Sequence, residues 1–120
     1  MEFFINDPNT LRYPPSETRL LDLRASPDSE GKHLRVDLEL SPFQQRPDID
    51  ITLKDSAGND IASASIIEPV SWKLELNLHI RRTTLLAGKY TLAARLYYPE
   101  LGEVDQRTLS IDIPHSGQTK

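Results

Sequence analysis

Three histidines are the first residues in this 120-residue chain whose side chains could do chemistry. His33 and His79 stand at the ends of two alternating apolar–polar segments, and His115 lies close to the C-terminus. Imidazole nitrogens are common zinc ligands, but a structural site needs about four ligands and a catalytic site about three. Two histidines without an evident third ligand make a poor site, so we expect solvated side chains, with a weak metal site at His33 and His79 as the alternative. We predict no cofactor and no metal centre.

A second group of polar residues, Asp55, Asn59 and Asp60, surrounds a short connection. Calcium takes six to eight oxygen ligands, and these three side chains can converge because they lie at one end of the same hairpin. Asp48 lies at the far end of the intervening segment and cannot join them. We expect a plain turn here, with weak calcium binding as the alternative.

Motifs for catalysis are missing from the sequence. With no cysteine, the chain cannot form a disulfide, an iron–sulfur cluster or a thiol nucleophile. The spacings typical of metalloproteases, P-loops, dinucleotide-binding folds and EF-hands are absent, as is the Gly-x-Ser-x-Gly elbow. We therefore predict that the chain is not an enzyme. Its 18 acidic against 14 basic side chains, a net charge of -4, argue against a nucleic-acid partner, which would require a basic surface.

The elements that must position these residues have a hydrophobic period of two. In the run Trp72 to Ile80 every even position is apolar and every odd position is polar, which is typical of a strand with one buried face. Similar runs separated by proline, glycine and aspartate predict a seven-stranded antiparallel β-sandwich. The predicted strands cover residues 19–25, 33–40, 49–54, 61–67, 72–80, 89–98 and 104–113.

The chain length corresponds to one domain. We predict an N-terminal arm over residues 1–18, the sandwich over 19–113 and a flexible tail over 114–120. Phe3, Phe4 and Ile5 are too apolar for a free tail. We expect them to form an extra edge strand, either on their own domain or on the partner chain of a homodimer.

Targeting signals are missing as well. The sequence has neither the apolar segment of a secretory signal nor about 18 consecutive apolar residues for a membrane helix. We predict a cytoplasmic location and no membrane partner for the chain as written. An extracellular or periplasmic location would apply if the chain is a domain excised from a larger protein.

The arrangement of the predicted strands follows from the turns and charges between them. The tight connection from Asp55 to Asn59 keeps the third and fourth strands in one sheet, so we predict sheets of strands 1-2-5 and 4-3-6-7. We predict a register for strands 2 and 5 that sets Arg35 opposite Glu75 and Asp37 opposite Lys73. A shift by two residues would place Asp37 against Glu75 and His33 beside His79.

Apolar positions with inward parity are predicted to form the core. They are Leu21, Leu23, Leu34, Val36, Leu38, Leu40, Ile49, Ile51, Leu53, Trp72, Leu74, Leu76, Leu78, Ile80, Leu92, Leu96, Leu109 and Ile111.

One motif resembles a known fold family. The segment Leu85-Leu86-Ala87-Gly88-Lys89-Tyr90-Thr91-Leu92 is similar to the corner between two strands of immunoglobulin-like and fibronectin type III-like domains of the bacterial type. Tyr90 occupies the position of their corner tyrosine, whose hydroxyl reaches back to the backbone. The resemblance implies an immunoglobulin-like sandwich and no particular activity, because this fold serves many functions.

The predicted topology gathers three loops at one end of the sandwich. These loops contain Phe43, Val70 and Leu101, with Tyr98 at their rim and Tyr97 facing outward from its strand. We predict a non-enzymatic module that docks a protein partner or a neighbouring domain through these five residues. The alternative for Phe43 and Leu101 is that they fold inward as lids over the core. The alternative function is a carbohydrate-binding module using Trp72, Tyr97 and Tyr98.

Overall fold

A computed structural model describes residues 11–28, 33–80 and 88–113. A short 3-10 helix, Pro15–Glu17, precedes seven strands. The strands are β1 (Leu20–Pro27), β2 (His33–Leu40), β3 (Asp48–Asp55), β4 (Asp60–Ile67), β5 (Lys73–His79), β6 (Gly88–Tyr98) and β7 (Gly102–Ile113). The seven-stranded antiparallel sandwich is confirmed, and each predicted strand boundary lies within two residues of the observed one.

Two sheets face each other across the core. A three-stranded sheet has the order β1-β2-β5 and a four-stranded sheet has the order β4-β3-β6-β7, which confirms the predicted topology. Both sheets contribute fully buried aliphatic side chains, such as Leu34 from β2, Ile51 from β3 and Leu92 from β6. Tyr90 is buried, although it was not among the predicted core residues, and residues 85–87 of its motif lie outside the described residues.

The prediction that Leu21 is buried is wrong. Leu20 is buried instead, and Leu21 is 49% exposed. A β-bulge in β1 between Leu20 and Asp22 shifts the register against β2 at this point. Because a one-residue slip moves side chains to the opposite face of a sheet, alternation cannot be extended through a bulge. Leu74, Leu76 and Leu109 are partly buried against the core.

The predicted register of β2 and β5 is also wrong. The observed register sets Asp37 opposite Glu75 and His33 opposite His79. In this register the pairing extends to the end of β2, where Leu40 N donates to the Trp72 carbonyl at 2.7 Å. The predicted register would have placed Leu40 opposite Val70 instead of Trp72. Each added ladder hydrogen bond contributes about 0.5–1.5 kcal/mol, which outweighs an exposed ion pair at about 0.2–1 kcal/mol.

One arginine removes the charge repulsion that argued against the observed register. Arg35 Nη2 lies 2.8 Å from Glu75 Oε2, and Arg35 Nε lies 3.5 Å from Asp37 Oδ1. The guanidinium thus bridges two carboxylates that face each other across the strands. A pairwise count of opposed residues missed this diagonal contact.

At Leu20, the outer edge of β1 is capped by two side chains of β7. Leu20 N donates to Asp105 Oδ2 at 2.8 Å, and Arg107 Nη2 donates to the Leu20 carbonyl at 3.3 Å. These two contacts satisfy the backbone of Leu20 at its bulge and tie the two sheets together on that side.

The β3–β4 connection is a tight hairpin, as predicted. The Asp55 carboxylate accepts hydrogen bonds from the backbone N–H groups of Ala57 and Asn59 at 3.0 and 2.9 Å, and Gly58 takes a positive φ of 88°. Lys54 Nζ lies 2.6 Å from Asp60 Oδ1. The acidic side chains around this turn therefore cap the backbone and pair with lysine.

Within residues 11–28, 33–80 and 88–113, no helix is long and apolar enough to cross a membrane. The predicted roles of Phe3, Phe4 and Ile5 and of the tail fall outside the described residues. The described part of the arm, residues 11–18, lies against the sandwich and belongs to the site described next.

Candidate functional site

Three loops and the entry segment meet at one end of the sandwich. The loops are residues 41–47 between β2 and β3, 68–72 between β4 and β5, and 99–101 between β6 and β7. The entry segment, residues 11–19, joins them through backbone hydrogen bonds: Tyr13 N donates to the Pro42 carbonyl, and Gln44 N donates to the Tyr13 carbonyl, both at 2.9 Å. A segment assigned to the arm by sequence therefore forms part of this end.

The structure divides the five predicted site residues into two groups. Val70 and Leu101 are 63% and 54% exposed, whereas Phe43 and Tyr98 are 4% and 0% exposed. Tyr97 is half-buried. The expectation that Phe43 and Tyr98 offer their side chains to a partner is therefore corrected, while partner binding through the exposed residues stays a prediction.

Phe43 is a lid over the core. Its ring packs edge-on against Trp72 with the ring centroids 6.0 Å apart, and its backbone forms a parallel bridge with Tyr13. Arg12 lies over the outer side of the Trp72 ring, 5.9 Å from its centroid. Phe43 thus stabilises the loop end from inside, as the lid alternative proposed.

Tyr98, at the end of β6, fastens the loop end together. Its hydroxyl donates to the Gln45 carbonyl at 2.8 Å and lies 3.2 Å from Thr18 Oγ1. Thr18 Oγ1 in turn donates to the Pro14 carbonyl at 3.0 Å. Burial raises the pKa of the Tyr98 hydroxyl, so the group stays protonated and keeps donating. The buried hydroxyl thereby ties the β2–β3 loop to the end of β6, beside Thr18 of the entry segment.

The outer surface of the loop end has two adjoining concavities. An apolar groove is lined by Pro15, Ser16, Gln45, Glu100 and Leu101. A polar cleft beside it is lined by Gln45, Arg46, Asp48, Glu68, Pro99 and Glu100. Gln45 and Glu100 line both, so the two concavities share a wall. We call the groove, the cleft and exposed Val70 the loop-end surface.

The polar cleft contains a strained residue. Glu68 has a φ of 49°, a left-handed conformation that costs a non-glycine residue about 1–2 kcal/mol. The Asp48 carboxylate accepts the Glu68 N–H at 3.1 Å and so helps to hold this conformation. Such strain persists only where the surroundings determine the backbone, which indicates a fixed loop ahead of Val70.

Tyr97 belongs to a different surface, the open face of the four-stranded sheet. Arg95 lies 5.4 Å from the Tyr97 ring centroid, 2.8 Å from Asp50 and 3.3 Å from Glu103. The hydrogen bond from Ser65 and the guanidinium of Arg95 lower the pKa of Asp50. Hydrogen bonding to Asp50 raises the pKa of Arg95. The cluster is therefore a fixed set of charges and hydrogen-bonding groups beside one aromatic ring.

The chemistry of both surfaces suits binding. Asp50 is ionised at neutral pH, so it cannot serve as a proton donor there. In the part of the chain that the structure describes, no three or more His, Asp or Glu side chains gather to hold a metal ion. The loop-end surface combines apolar contact area with a polar rim, an arrangement found in protein interfaces.

The residues that join the groove to the cleft are not among the predicted site residues. Gln45 and Glu100 are ordinary polar loop residues, and alternation says nothing about loops. Pro15 stood in a segment assigned to an arm, although Pro14-Pro15 is stiff and can fix the path of the chain. No signal in the sequence placed this segment against the β6–β7 loop.

The fold matches solved structures, although no family model and no curated protein matches the sequence. A β-glucuronidase from Bifidobacterium dentium aligns with 19% identity and a TM-score of 0.61 over 82% of this chain. A β-glucuronidase from Parabacteroides merdae aligns with 14% identity and a TM-score of 0.63 over 82%. A glycosyl hydrolase family 2 member from Bacteroides cellulosilyticus aligns with 14% identity and a TM-score of 0.61 over 80%.

This chain spans less than a fifth of each of those three structures, 18%, 14% and 15% respectively. At these identities the likeness establishes the sandwich fold, in line with the coarse immunoglobulin-like architecture.

Proposed function

We propose that this chain is a non-enzymatic immunoglobulin-like module whose loop-end surface docks onto a neighbouring folded domain of a carbohydrate-active protein. The observation that carries the proposal is the exposure of Val70 and Leu101 on a loop end whose backbone is held from inside. Phe43 and Tyr98 are buried and hold the loops in place.

Rigidity supports docking because a surface that is already ordered loses little entropy when it binds. The Tyr98 hydroxyl fixes the β2–β3 loop to the end of β6, the Tyr13 backbone joins this loop to the entry segment, and Asp48 fixes the β4–β5 loop at Glu68. The groove residues Pro15 and Leu101 supply apolar area, and Glu100 and Arg46 supply charges of both signs at its rim. A folded domain with an apolar ridge flanked by polar groups would fit this surface.

The class of neighbour comes from the structural matches. The matched glycosyl hydrolases contain this sandwich in under a fifth of their length, so the sandwich there is one part of a much larger chain. A module of a carbohydrate-active protein would need a surface for the rest of that protein. The loop-end surface is our candidate.

Site-specific photocrosslinking in the native host tests the proposal. A benzophenone amino acid is placed at position 101 or 70, and at position 56 in the exposed β3–β4 turn as the control. We expect one crosslinked species from positions 101 and 70 that mass spectrometry identifies as a carbohydrate-active protein or domain. Equal crosslinking from position 56, or no adduct from position 101, would contradict the proposal.

A matched pair of variants separates binding from folding. Leu101→Ser and Val70→Ser alter exposed side chains, so the free energy of unfolding should change by no more than about 0.5 kcal/mol while docking weakens. Phe43→Ser alters the buried lid and should cost about 3–5 kcal/mol, as for other large-to-small changes of a buried phenylalanine.

Carbohydrate binding is the alternative, and the cluster around Tyr97 favours it. A half-buried ring beside Asp50, Arg95 and Glu103 offers both an aromatic surface and hydrogen-bonding groups for sugar hydroxyls. Affinity electrophoresis of the wild type and Tyr97→Ala in gels containing plant and bacterial polysaccharides tests this alternative. Retardation that disappears in Tyr97→Ala but persists in Leu101→Ser would support it, and equal mobility in all gels would reject it.

A further inference from the structure

Two histidines meet on the open face of the three-stranded sheet, at the end opposite the loop-end surface. His33 begins β2, His79 ends β5, and the two residues are directly opposed in the ladder. His79 Nδ1 lies 3.2 Å from His33 Nε2, and the ring centroids are 5.0 Å apart. The two histidines are neighbours because β2 and β5 pair in the register that sets Asp37 opposite Glu75. The predicted register, with Arg35 opposite Glu75, would have separated them.

We propose that His33 and His79 form a two-histidine binding site for a divalent transition-metal ion of the zinc, nickel or copper class. His33 would bind through Nε2 and His79 through Nδ1, with water completing the coordination shell. Neutral imidazole nitrogen suits these borderline metals, whereas calcium and magnesium prefer oxygen ligands.

The nitrogen separation suits a shared metal ion. Two nitrogens that each lie about 2.0–2.1 Å from a tetrahedral zinc are roughly 3.3 Å apart. The observed 3.2 Å between His33 Nε2 and His79 Nδ1 is close to this separation, so the two strands already place both nitrogens within reach of one metal ion. Both side chains stand on the polar face of their strands, where water can supply the remaining ligands.

Asp28 assigns the tautomer of His33. Its Oδ2 lies 3.3 Å from His33 Nδ1, so the carboxylate accepts the Nδ1–H and leaves the Nε2 lone pair directed at His79. A carboxylate behind a histidine ligand is a common outer-shell arrangement that fixes the ring and raises its basicity.

Metal binding involves no redox step, and its protons and bonds balance. In the metal-free protein the Asp28 carboxylate accepts the hydrogen bond from His33 Nδ1–H. His33 Nε2 is therefore the acceptor of the hydrogen bond from His79 Nδ1–H. When a metal ion binds, His79 loses the Nδ1 proton to water and takes up one at Nε2. The histidine pair stays neutral overall, and two nitrogen–metal bonds replace one hydrogen bond and two metal–water bonds.

The site has two protein ligands in the described part of the chain, which has no group of three potential metal-binding side chains. We therefore expect weaker binding than at a three-histidine site. The metal would link the beginning of β2 to the end of β5, and a ligand that binds the folded state raises the unfolding temperature.

Titration calorimetry of the untagged full chain with Zn²⁺, Ni²⁺ or Cu²⁺ alone tests the proposal, with Mg²⁺ as the hard-cation control. We expect one site per chain, loss of at least tenfold in affinity in both His33→Gln and His79→Gln, and unchanged binding in His115→Gln. Histidine ring NMR signals of the wild type should shift or broaden at His33 and His79 and stay unchanged at His115.

Full affinity in His79→Gln, loss of binding in His115→Gln or equal binding of Mg²⁺ would overturn the proposal. Thermal unfolding of each metal-free variant provides the folding control. Since both histidines are partly exposed, the metal-free variants should unfold at nearly the wild-type temperature. Wild-type affinity in a folded His33→Gln variant would equally exclude the site.

Discussion

Removing the hydroxyl of Tyr98 tests the account of the loop end most directly. Tyr98→Phe keeps the buried ring but deprives the Gln45 carbonyl of a 2.8 Å hydrogen bond and removes the neighbour of Thr18 Oγ1. Leaving a buried acceptor unsatisfied costs about 1–3 kcal/mol. Because the Gln45 carbonyl is only part-buried, we expect about 1–2 kcal/mol.

The magnitude is large enough to measure by thermal and urea unfolding. For domains near this size, 1 kcal/mol shifts the unfolding temperature by roughly 3–5 °C, so Tyr98→Phe should unfold about 3–10 °C below the wild type. Tyr97→Phe is the matched control, since it removes the same atom from the adjacent, half-buried residue and should cost no more than about 0.5 kcal/mol. Equal unfolding temperatures for the two variants would refute the role assigned to Tyr98.

The pH dependence of the same variant gives a second measurement. The pKa of Tyr98 is raised in the folded state, so its contribution to stability is complete below the unfolded pKa of about 10. Above that pH the unfolded chain releases the proton first, and stability falls as pH rises through the folded pKa. The difference in unfolding free energy between wild type and Tyr98→Phe should therefore shrink in alkaline solution and stay constant near neutrality.

Three further predictions concern the core, the charged face and the arm. Leu78→Ala, at a fully buried position, should lower the free energy of unfolding in urea by about 2–5 kcal/mol. Leu76 is half-buried on the same edge strand, so Leu76→Ala should cost about half as much. A larger cost for Leu76→Ala than for Leu78→Ala would contradict the observed burial of these two side chains. The lowered pKa of Asp50 gives stability that is present above its unfolded pKa of about 3.9 and lost as pH falls through the folded pKa. The stability difference between wild type and Asp50→Asn should therefore narrow between pH 5 and pH 2, and a constant difference would argue against the Ser65 and Arg95 contacts. Deleting residues 1–10 should lower the unfolding temperature or the mass measured by light scattering, and no change in either would reject the predicted role of Phe3, Phe4 and Ile5.

The strands were predictable because alternation is a local property. Every even position from Trp72 to Leu78 points inward for the same reason, the pleat of the strand, and Gly58 with Asp55 identifies the hairpin that fixes the sheet assignment. Predictions from local patterns were wrong where the structure depends on contacts between distant segments, as in the register of β2 and β5. The register of β2 and β5 depends on the ion pairs of Arg35 with Asp37 and Glu75 and on the added backbone hydrogen bond between Leu40 and Trp72. Neither contact is visible when only directly opposed charges are compared.

The site was predictable in part for the same reason. Val70 and Leu101 were recognised as apolar loop residues, and they are exposed. Phe43 looked the same in sequence, and its burial depends on Trp72 and Tyr13, which reach it from distant parts of the chain. The groove beside Leu101 depends on Pro15, whose segment is held by the bonds of Thr18 to Pro14 and Pro15 and by the backbone bonds of Tyr13 to the β2–β3 loop.

The contacts of Asp105 and Arg107 with Leu20 also bear on how copies of this domain could assemble. An exposed strand edge recruits the edge of another molecule, and a chain that offers such edges on both sides of a sheet can polymerise without limit. Here the donor and acceptor of Leu20 are already engaged by side chains of β7. A second chain that approached β1 at this position would have to displace both contacts and would meet the charged side chains of Asp105 and Arg107, which disfavours edge-to-edge pairing there.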